Sequence, residues 1–395
     1  MKILVISQVY YPEQFRINDI CEELVKMGHD VTVLTGLPNY PKGELYPGYE
    51  HVKNMTENIN GVKVIRVYER PRKTGAVNRF LNYYSFSHNS TKCVKRLDKD
   101  YDVVFINQLS PVMQAKAGIK YKKLFGKKVV LYCLDLWPAS LTAGGIGKKN
   151  PVYTFYKKVS KKIYQSADKI LISSKMFKNY FANEFKMNTD SIEYLPQYAE
   201  DLFVATDIKK DKNCIDLVFA GNIGKMQSVE TIVKCANLMK NENVNFHIVG
   251  DGVSLADCKT MADKDAKITF YGQRLLSEMP QFYDMADAML VTLKNDDLIS
   301  YTLPGKVQTY MASGKPIIAS GKNELKNVIE ESGAGICVEP DDEYKLKDAI
   351  MSFCQSKRKS VMAKNARKYY EDNFDKQKFF EKLENILKEY SDGNI

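Results

Sequence analysis

The chain has 395 residues, of which 44% are hydrophobic and 27% charged, which fits about two globular domains and excludes a disordered protein. Lys and Arg (58) exceed Asp and Glu (48), giving a formal net charge of +10 that favours an anionic partner. Eight cysteines without a Cys-x-x-Cys pair, and the lack of a run of about 18 apolar residues, argue against disulfides, a zinc site and a membrane-spanning helix, and favour the cytoplasm.

Short β-branched runs predict the strands of a first sheet, at 3–6, 31–35, 62–67, 103–106, 129–133, 170–173 and 192–195. Helical spacing between the first two runs ends at Gly28, which predicts a β-α-β unit. The alternation resumes at 215–220, 246–249, 268–271, 288–293, 317–320 and 335–338. Continuous apolar strands are typical of parallel sheets covered on both faces, so the fold class is α/β with two doubly wound, Rossmann-like domains.

The domain boundaries follow from where the alternation stops. Residues 1–200 form the first domain and residues 201–375 the second, with an irregular, charged linker at 196–213. Residues 376–395 predict one more amphipathic helix, which we expect to cross back to the first domain.

The first candidate site is a predicted helix start in the second domain, formed by Leu303, Pro304, Gly305 and Lys306. A helix N-terminus presents free N–H groups, and Lys306 adds a full charge, so the segment could hold a diphosphate. The alternative is an ordinary loop before a helix with a solvated lysine.

A glycine turn follows the strand 215–220 and contains Gly221, Asn222 and Lys225. It lacks the Gly-x-Gly-x-x-Gly pattern of nicotinamide-binding proteins, so either a phosphate-binding turn or a plain strand-to-helix turn remains. Two further strands end in turns whose backbone could recognise a flat base, at Gly250 with Asp251 and from Gly272 to Arg274.

In the first domain, Asp135 and the single tryptophan, Trp137, come just after the strand 129–133. Ligands of open α/β sheets bind at this end of the strands, which makes Asp135 a candidate contact to an acceptor hydroxyl or a sugar. Its alternative role is to cap the following segment. None of the four histidines lies in a triad or metal pattern, so neither a metal nor another cofactor is expected.

A basic amphipathic helix is predicted at 152–163, with Val152, Phe155 and Ile163 on one face and four lysines on the other. It fits either an anionic membrane surface or an ordinary solvated face. No nucleic-acid-binding module accompanies the charge, so nucleic acid is not expected as a partner.

With Tyr10-Tyr11-Pro12-Glu13 and Gly28-His29-Asp30, these motifs resemble the retaining glycosyltransferases of family 4 over essentially the whole chain. The resemblance implies the GT-B fold, with two Rossmann-like domains facing a cleft. More narrowly, the chain is similar to the WbuB/WcaI-like branch, which builds capsule, O-antigen and colanic-acid repeat units.

The resemblance implies a site for a nucleotide-sugar donor, usually a UDP-sugar, in the second domain. Asp135, Lys225 and Lys306 would be catalytic, and Glu13 and Trp137 would lie on the acceptor side. The implied donor-binding residues are Gly221, Asn222, Gly250, Asp251, Gly272, Arg274, Tyr301, Leu303, Pro304, Gly305 and Thr309. The family's Glu-x(7)-Glu pattern falls on Tyr301 and Thr309, so neither glutamate is present. The family's Gly-Arg…Lys phosphate pair becomes Gly221-Asn222 with Gln227, so Lys225 and Lys306 are expected to supply the missing positive charge.

The implied activity is retaining and metal-independent, and moves an N-acetylated amino sugar to a polyprenyl-diphosphate-linked saccharide. The enzyme would be cytoplasmic and peripherally attached to the inner face of the membrane, and could associate with other glycan-assembly enzymes. Two alternatives remain open: a GT-B-fold UDP-sugar 2-epimerase, and a non-catalytic nucleotide-sugar-binding scaffold.

Overall fold

The computed structural model describes residues 1–50, 54–73, 75–143, 145–206 and 214–391. The chain divides into two compact units. Unit 1 comprises Met1–Ser173, Phe177–Leu195 and Phe380–Ile395, and unit 2 comprises Ser174–Met176 and Pro196–Phe379. Of the predicted linker, residues 207–213 lie outside the described residues.

Unit 1 contains one sheet of eight strands within the described residues. The strands are β1 (Lys2–Ile6), β2 (Asp30–Thr35), β3 (Asn54–Ile59), β4 (Val62–Val67), β5 (Val103–Gln108), β6 (Lys128–Cys133), β7 (Lys169–Ile172) and β8 (Ile192–Tyr194). Their order is β3-β4-β2-β1-β5-β6-β7-β8, and only the pairing of β3 with β4 is antiparallel. The sequence predicted every strand except β3, an edge strand whose residues alternate between half-buried and exposed.

The helices of unit 1 are α1 (Arg16–Lys26), α2 (Ala76–Cys93), α3 (Lys116–Phe125), α4 (Ser140–Ala143), α5 (Pro151–Tyr164) and α6 (Phe177–Phe185). The hydrophobic spacing of α1 explains its burial, since Ile17, Ile20 and Leu24 face the core. Gly28 follows this helix with a φ of +86°, the left-handed conformation that glycine adopts without strain. Strand β2 begins at Asp30, so the predicted β-α-β unit is confirmed.

Unit 2 contains a parallel sheet with the order β11-β10-β9-β12-β13-β14. The strands are β9 (Ile215–Ala220), β10 (Val244–Val249), β11 (Ile268–Gly272), β12 (Ala288–Thr292), β13 (Ile317–Ser320) and β14 (Gly335–Val338). The helices are α7 (Val229–Leu238), α8 (Leu255–Met261), α9 (Met279–Met285), α10 (Gly305–Ala312), α11 (Glu324–Ser332), α12 (Glu343–Gln355), α13 (Lys359–Asn373) and α14 (Lys376–Glu389), the last of which enters unit 1 at Phe380.

The order of the second sheet reverses between β9 and β12, because the chain moves outward in one direction through β10 and β11 and in the other through β13 and β14. Ligands of open α/β sheets bind at such a switch point, beyond the carboxyl ends of the strands. The segments that follow β9 and β12 are the glycine turn at 221–224 and the approach to α10. None of the helices in the described ranges is long and apolar enough to cross a bilayer.

Candidate functional site

The turns after β9 and β10 pack backbone against backbone. The Gly221 N–H donates to the Val249 carbonyl at 2.9 Å, and the Gly250 N–H donates to the Gly272 carbonyl at 2.9 Å. Gly250 has a φ of +141°, and a Cβ atom added to it would lie 1.8 Å from the Gly221 carbonyl oxygen. A side chain at Gly250 would therefore push the turn after β9 away from its position.

Tyr310 fixes α10 to the end of β9. Its hydroxyl accepts the Ala220 N–H at 2.9 Å and donates to the Ala220 carbonyl at 3.0 Å, so it pairs with both polar backbone groups of the last residue of the strand. Tyr310 is fully buried. Tyr310 was not predicted from the sequence, because the partner of a buried tyrosine on a helix lies far away along the chain.

Lys306, one helical turn before Tyr310, places its ammonium group directly against the turn after β9. A Cβ atom added to Gly221 would lie 2.9 Å from Lys306 Nζ, and Nζ also lies 3.7 Å from the centroid of the Phe219 ring. Nζ is buried and has no hydrogen-bond partner among the residues that the structure describes. Burial lowers the pKa of Lys306 to about 7.

A buried cation without an anionic partner is costly, and this cost is relieved when an anion binds. The first turn of α10 adds further positive potential, because a helix N-terminus has N–H groups without intrahelical acceptors. Pro304 lies in an extended conformation just before this turn, and Leu303 is buried beneath it. The predicted loop and helix start are therefore present, and the Lys306 ammonium is buried rather than solvated.

Tyr301 and Thr309, the two positions of the missing glutamates, have other partners within unit 2. The Thr309 hydroxyl donates to the Lys306 carbonyl at 2.9 Å and lies 3.5 Å from the Tyr283 hydroxyl. The Tyr301 carbonyl accepts a hydrogen bond from the Ser174 hydroxyl. Thr309 is 7% exposed, so its hydroxyl stabilises the helix interior.

The remaining predicted donor residues lie at the surface of unit 2. Lys225 and Asn222 are exposed, and the Asn222 side chain donates to Gln227 at 3.3 Å. The Asp251 carboxylate accepts the Gly252 N–H at 2.7 Å, which closes the turn after β10. Arg274 is exposed and lies 3.6 Å from Glu278. These side chains are accessible to a ligand, whereas the Lys306 ammonium is already enclosed.

In unit 1, Asp135 lies at the carboxyl end of β6, as the sequence predicts. Its carboxylate accepts hydrogen bonds from the hydroxyls of Ser110 and Ser140, and burial raises its pKa while these two bonds oppose the rise. Trp137 is 3% exposed, and its indole N–H donates to the Ser110 hydroxyl at 2.6 Å. Trp137 therefore supports the Asp135 loop from inside and presents no open ring face to a ligand.

Glu13 and a second glutamate, Glu69, are buried beyond the strands of the same sheet. The Glu13 carboxylate accepts the backbone N–H groups of Asn39 and Tyr40 at 2.8 and 2.7 Å, which holds the segment after β2. Glu69 accepts from the Gln8 side chain at 2.8 Å, and burial raises its pKa to about 8. Glu69 was not predicted from the sequence, although its position two residues after β4 meets the strand-end criterion that identified Asp135.

Within the described ranges, no three His, Cys, Asp or Glu side chains are grouped so that they could hold a metal ion. The cysteines are free, and burial raises the pKa of the Cys21 and Cys133 thiols. Independence from metals stays a prediction.

Two family models match the chain, one for each half. The model of Glycosyltransferase Family 4 matches residues 15–197, and the model of Glycosyl transferases group 1 matches residues 214–356. A curated relative, the putative colanic acid biosynthesis glycosyl transferase WcaI of Escherichia coli (strain K12), is 25% identical over 420 aligned positions, which cover 99% of this chain and 98% of the relative.

Solved structures share the fold. Sucrose-phosphate synthase from Thermosynechococcus elongatus superposes with a TM-score of 0.78 at 16% identity, covering 98% of each chain. Alr3699/HepE of Anabaena, in complex with UDP and glucose, has a TM-score of 0.71 at 15% identity, covering 98% of this chain and 99% of that one. The predicted GT-B class with two Rossmann-like, parallel-sheet domains is confirmed.

Proposed function

Because this chain is a glycosyltransferase that combines a Family 4 domain with a group 1 domain, we propose that it is retaining and metal-independent. In this proposal it moves a sugar, an N-acetylated amino sugar, from a UDP-sugar to a polyprenyl-diphosphate-linked saccharide. The product would be a repeat unit of a capsule- or O-antigen-type polysaccharide. The enzyme would work in the cytoplasm at the inner face of the membrane and could associate with other glycan-assembly enzymes.

The observation that carries the proposal is the buried ammonium group of Lys306 against Gly221. A diphosphate bound at this turn would supply the anion that Lys306 lacks, and the N-terminus of α10 would add its N–H groups. Gly221 and Gly250 have no side chains that would block a ligand from the backbone at this switch point. Gly272, the last residue of β11, and the turn from it to Arg274 would lie beside the base.

The chemistry that this site supports is departure of a diphosphate. The bond between the anomeric carbon and the β-phosphate oxygen breaks, and a bond from that carbon to the acceptor oxygen forms on the same face. The acceptor proton passes to an oxygen of the departing diphosphate, so retention needs no protein base. Lys306 would stabilise the negative charge that develops on the leaving group, which is the larger requirement for such a reaction. Asp135 would orient the acceptor.

Two relatives support the choice of substrates. WcaI is described as a colanic acid biosynthesis enzyme and aligns along the whole chain, which supports a role in polysaccharide assembly. HepE shares the fold and binds UDP and glucose, which supports UDP as the nucleotide.

We expect UDP, and not GDP, TDP, CDP or NAD, to raise the melting temperature of the purified chain, because a ligand that binds only the folded state stabilises it. At a UDP concentration of about 100 times Kd the gain is about 2.7 kcal/mol. Differential scanning fluorimetry with the five compounds measures it. A response to NAD alone would contradict the proposal. A response to none of the five compounds would support neither the transferase nor the 2-epimerase.

The pH dependence of UDP binding should reveal Lys306. Its pKa of about 7 leaves the free enzyme mostly neutral at this position at pH 8, and a bound diphosphate raises that pKa. Binding at pH 8 should therefore take up about one proton, and the affinity should fall as the pH rises above 7. Titration calorimetry in buffers of different ionisation enthalpy counts the proton. Lys306→Met should abolish the uptake; uptake that persists in this variant would assign the proton elsewhere.

Product analysis distinguishes the proposed transferase from the 2-epimerase and from the non-catalytic scaffold. A transferase consumes the UDP-sugar in the presence of a lipid-linked acceptor and forms a longer saccharide. A 2-epimerase would change the sugar without any acceptor, and a scaffold would bind UDP and form no product.

A further inference from the structure

Arg72, in the segment of unit 1 that follows β4, is a half-buried cation held against two aromatic rings. Its guanidinium lies 5.5 Å from the centroid of the Tyr83 ring and 6.0 Å from the centroid of the Tyr40 ring. Among the residues that the structure describes, no carboxylate lies within ion-pair distance of this guanidinium, and no oxygen accepts a hydrogen bond from it. Its N–H donors are therefore available to a ligand.

The segment after β2 fixes the backbone of Arg72. The Arg72 N–H donates to the Asn39 side-chain oxygen at 2.8 Å, and the backbone N–H groups of Asn39 and Tyr40 donate to the buried Glu13 carboxylate. A Cβ atom added to Gly43, which has a φ of +74°, would lie 2.3 Å from the Arg72 carbonyl oxygen. Glu13 therefore positions both the arginine and one of its two rings, while its own carboxylate stays buried.

Helix α2 holds the same segment through a second set of contacts. The Asn82 side chain donates to the Arg70 carbonyl at 2.7 Å and to the buried Glu69 carboxylate, and the Arg70 N–H donates to the Ser85 hydroxyl at 2.9 Å. Tyr83, the next residue of the helix, is nearly buried and gives the guanidinium a fixed ring to pack against. The arginine is therefore held in place before a ligand arrives, which reduces the entropy lost on binding.

The electrostatic surroundings of Tyr83 place Arg72 near Asp135. Burial raises the pKa of Tyr83, the charges of Arg72 and Arg79 oppose the rise, and those of Asp135 and Glu69 add to it. Glu69, with its pKa raised to about 8, is mostly protonated and neutral at pH 7, so it does not repel an anion. The Asp135 carboxylate already accepts two hydroxyl hydrogen bonds. An anion beside Asp135 therefore meets one unpaired arginine and the exposed Arg79.

We propose that Arg72 binds the diphosphate group of the acceptor and thereby selects acceptors that carry one. A guanidinium fits a phosphate, because two parallel N–H groups reach two phosphate oxygens. The diphosphate of the donor has its own proposed site in unit 2, at Lys306, so Arg72 serves the second substrate. The Tyr40 ring is 43% exposed and offers a flat apolar surface to the sugar next to the diphosphate. The inference rests on the proposed function, in which the acceptor is a lipid-linked diphosphate.

The test is calorimetric titration of the full chain with geranyl diphosphate, a soluble lipid diphosphate, while saturating UDP occupies the donor site. Arg72→Met should weaken this binding by about tenfold or more, the effect of losing charge-assisted hydrogen bonds to a phosphate. Arg72→Lys keeps the charge and the aliphatic stem, and should still lose affinity because an ammonium group cannot form the two parallel bonds. In turnover, Arg72→Met should raise KM for a diphosphate-linked acceptor and leave kcat nearly unchanged, since the diphosphate is bound equally in the ground and transition states.

The matched control is Arg96→Met, which removes the same charge from an exposed arginine of unit 1 that comes before β5. Equal losses of affinity in Arg72→Met and Arg96→Met would reduce the effect to net charge and overturn the inference, as would an unchanged affinity in both Arg72 variants. Stabilisation by UDP is measured on every variant and reports the donor site separately. If UDP fails to stabilise the unmodified chain, the proposed function fails; if UDP stabilises every variant and Arg72→Met still binds geranyl diphosphate normally, only this inference fails.

Discussion

Replacing Lys306 with methionine should lower turnover by about 100- to 1000-fold, the loss seen when one group that stabilises a developing oxyanion is removed. Methionine keeps the length and the apolar stem of the side chain but removes the charge that the proposal assigns to the leaving diphosphate. The measurement is kcat for product formation from a UDP-sugar and a lipid-linked acceptor, together with the affinity for UDP by calorimetry.

The stability of the Lys306→Met variant distinguishes a ligand-binding lysine from a structural one. Without ligand the ammonium group is buried and has no partner in the described part of the chain, so its removal should leave the melting temperature unchanged or raise it. Lys225→Met, at an exposed position in the same region, should lower turnover by about tenfold or less. Undiminished turnover in Lys306→Met, or a large loss of stability, would exclude the proposed role.

The second large effect is expected for Gly250→Ala. The added methyl group would lie 1.8 Å from the Gly221 carbonyl oxygen, and the φ of +141° is one that alanine rarely adopts. We expect a loss of about 3 kcal/mol in the free energy of unfolding of unit 2, and a loss of stabilisation by UDP, because the turn after β9 must shift. Chemical denaturation and the UDP-dependent thermal shift measure the two effects.

Gly272→Ala is the matched control. Gly272 also has a positive φ, +69°, and is the last residue of the neighbouring strand β11, but no atom lies within 4 Å of an added Cβ. Its substitution should cost only about 1 kcal/mol for the left-handed backbone. If both variants lost equal stability, the close approach of Gly250 to Gly221 would not explain the result.

The sequence was sufficient for most of the fold because buried parallel strands are continuous apolar runs, and such runs are visible in one dimension. Strand β3 was missed for the corresponding reason: it pairs antiparallel at a sheet edge, and the run Asn-Met-Thr-Glu-Asn-Ile has only two apolar residues. A search for continuous apolar runs finds strands that are buried on both faces, and it does not find a strand that is covered on one face only.

The places of the candidate residues in the fold could be predicted from the sequence, but the surroundings of their side chains could not. The rule that ligands bind beyond the carboxyl ends of strands located Gly221, Asp135 and the start of α10. This rule does not predict the orientation of a side chain. The Trp137 ring points inward and donates to Ser110, and the Lys306 ammonium is enclosed against Gly221. Tyr310 was missed because its partner lies 90 residues away along the chain, whereas Glu69 meets the strand-end criterion and could have been found by it.

The double hydrogen bond between Tyr310 and Ala220 has a consequence for the thermodynamics of donor binding. The buried Tyr310 hydroxyl pairs with both backbone polar groups of Ala220, the last residue of β9, so the start of the turn at Gly221 is held in a fixed position. The conformational entropy of ordering this turn is then lost when unit 2 folds, and would not be lost again when the proposed donor binds. If this turn binds the diphosphate, as we propose, a preorganised turn favours binding with little structural change.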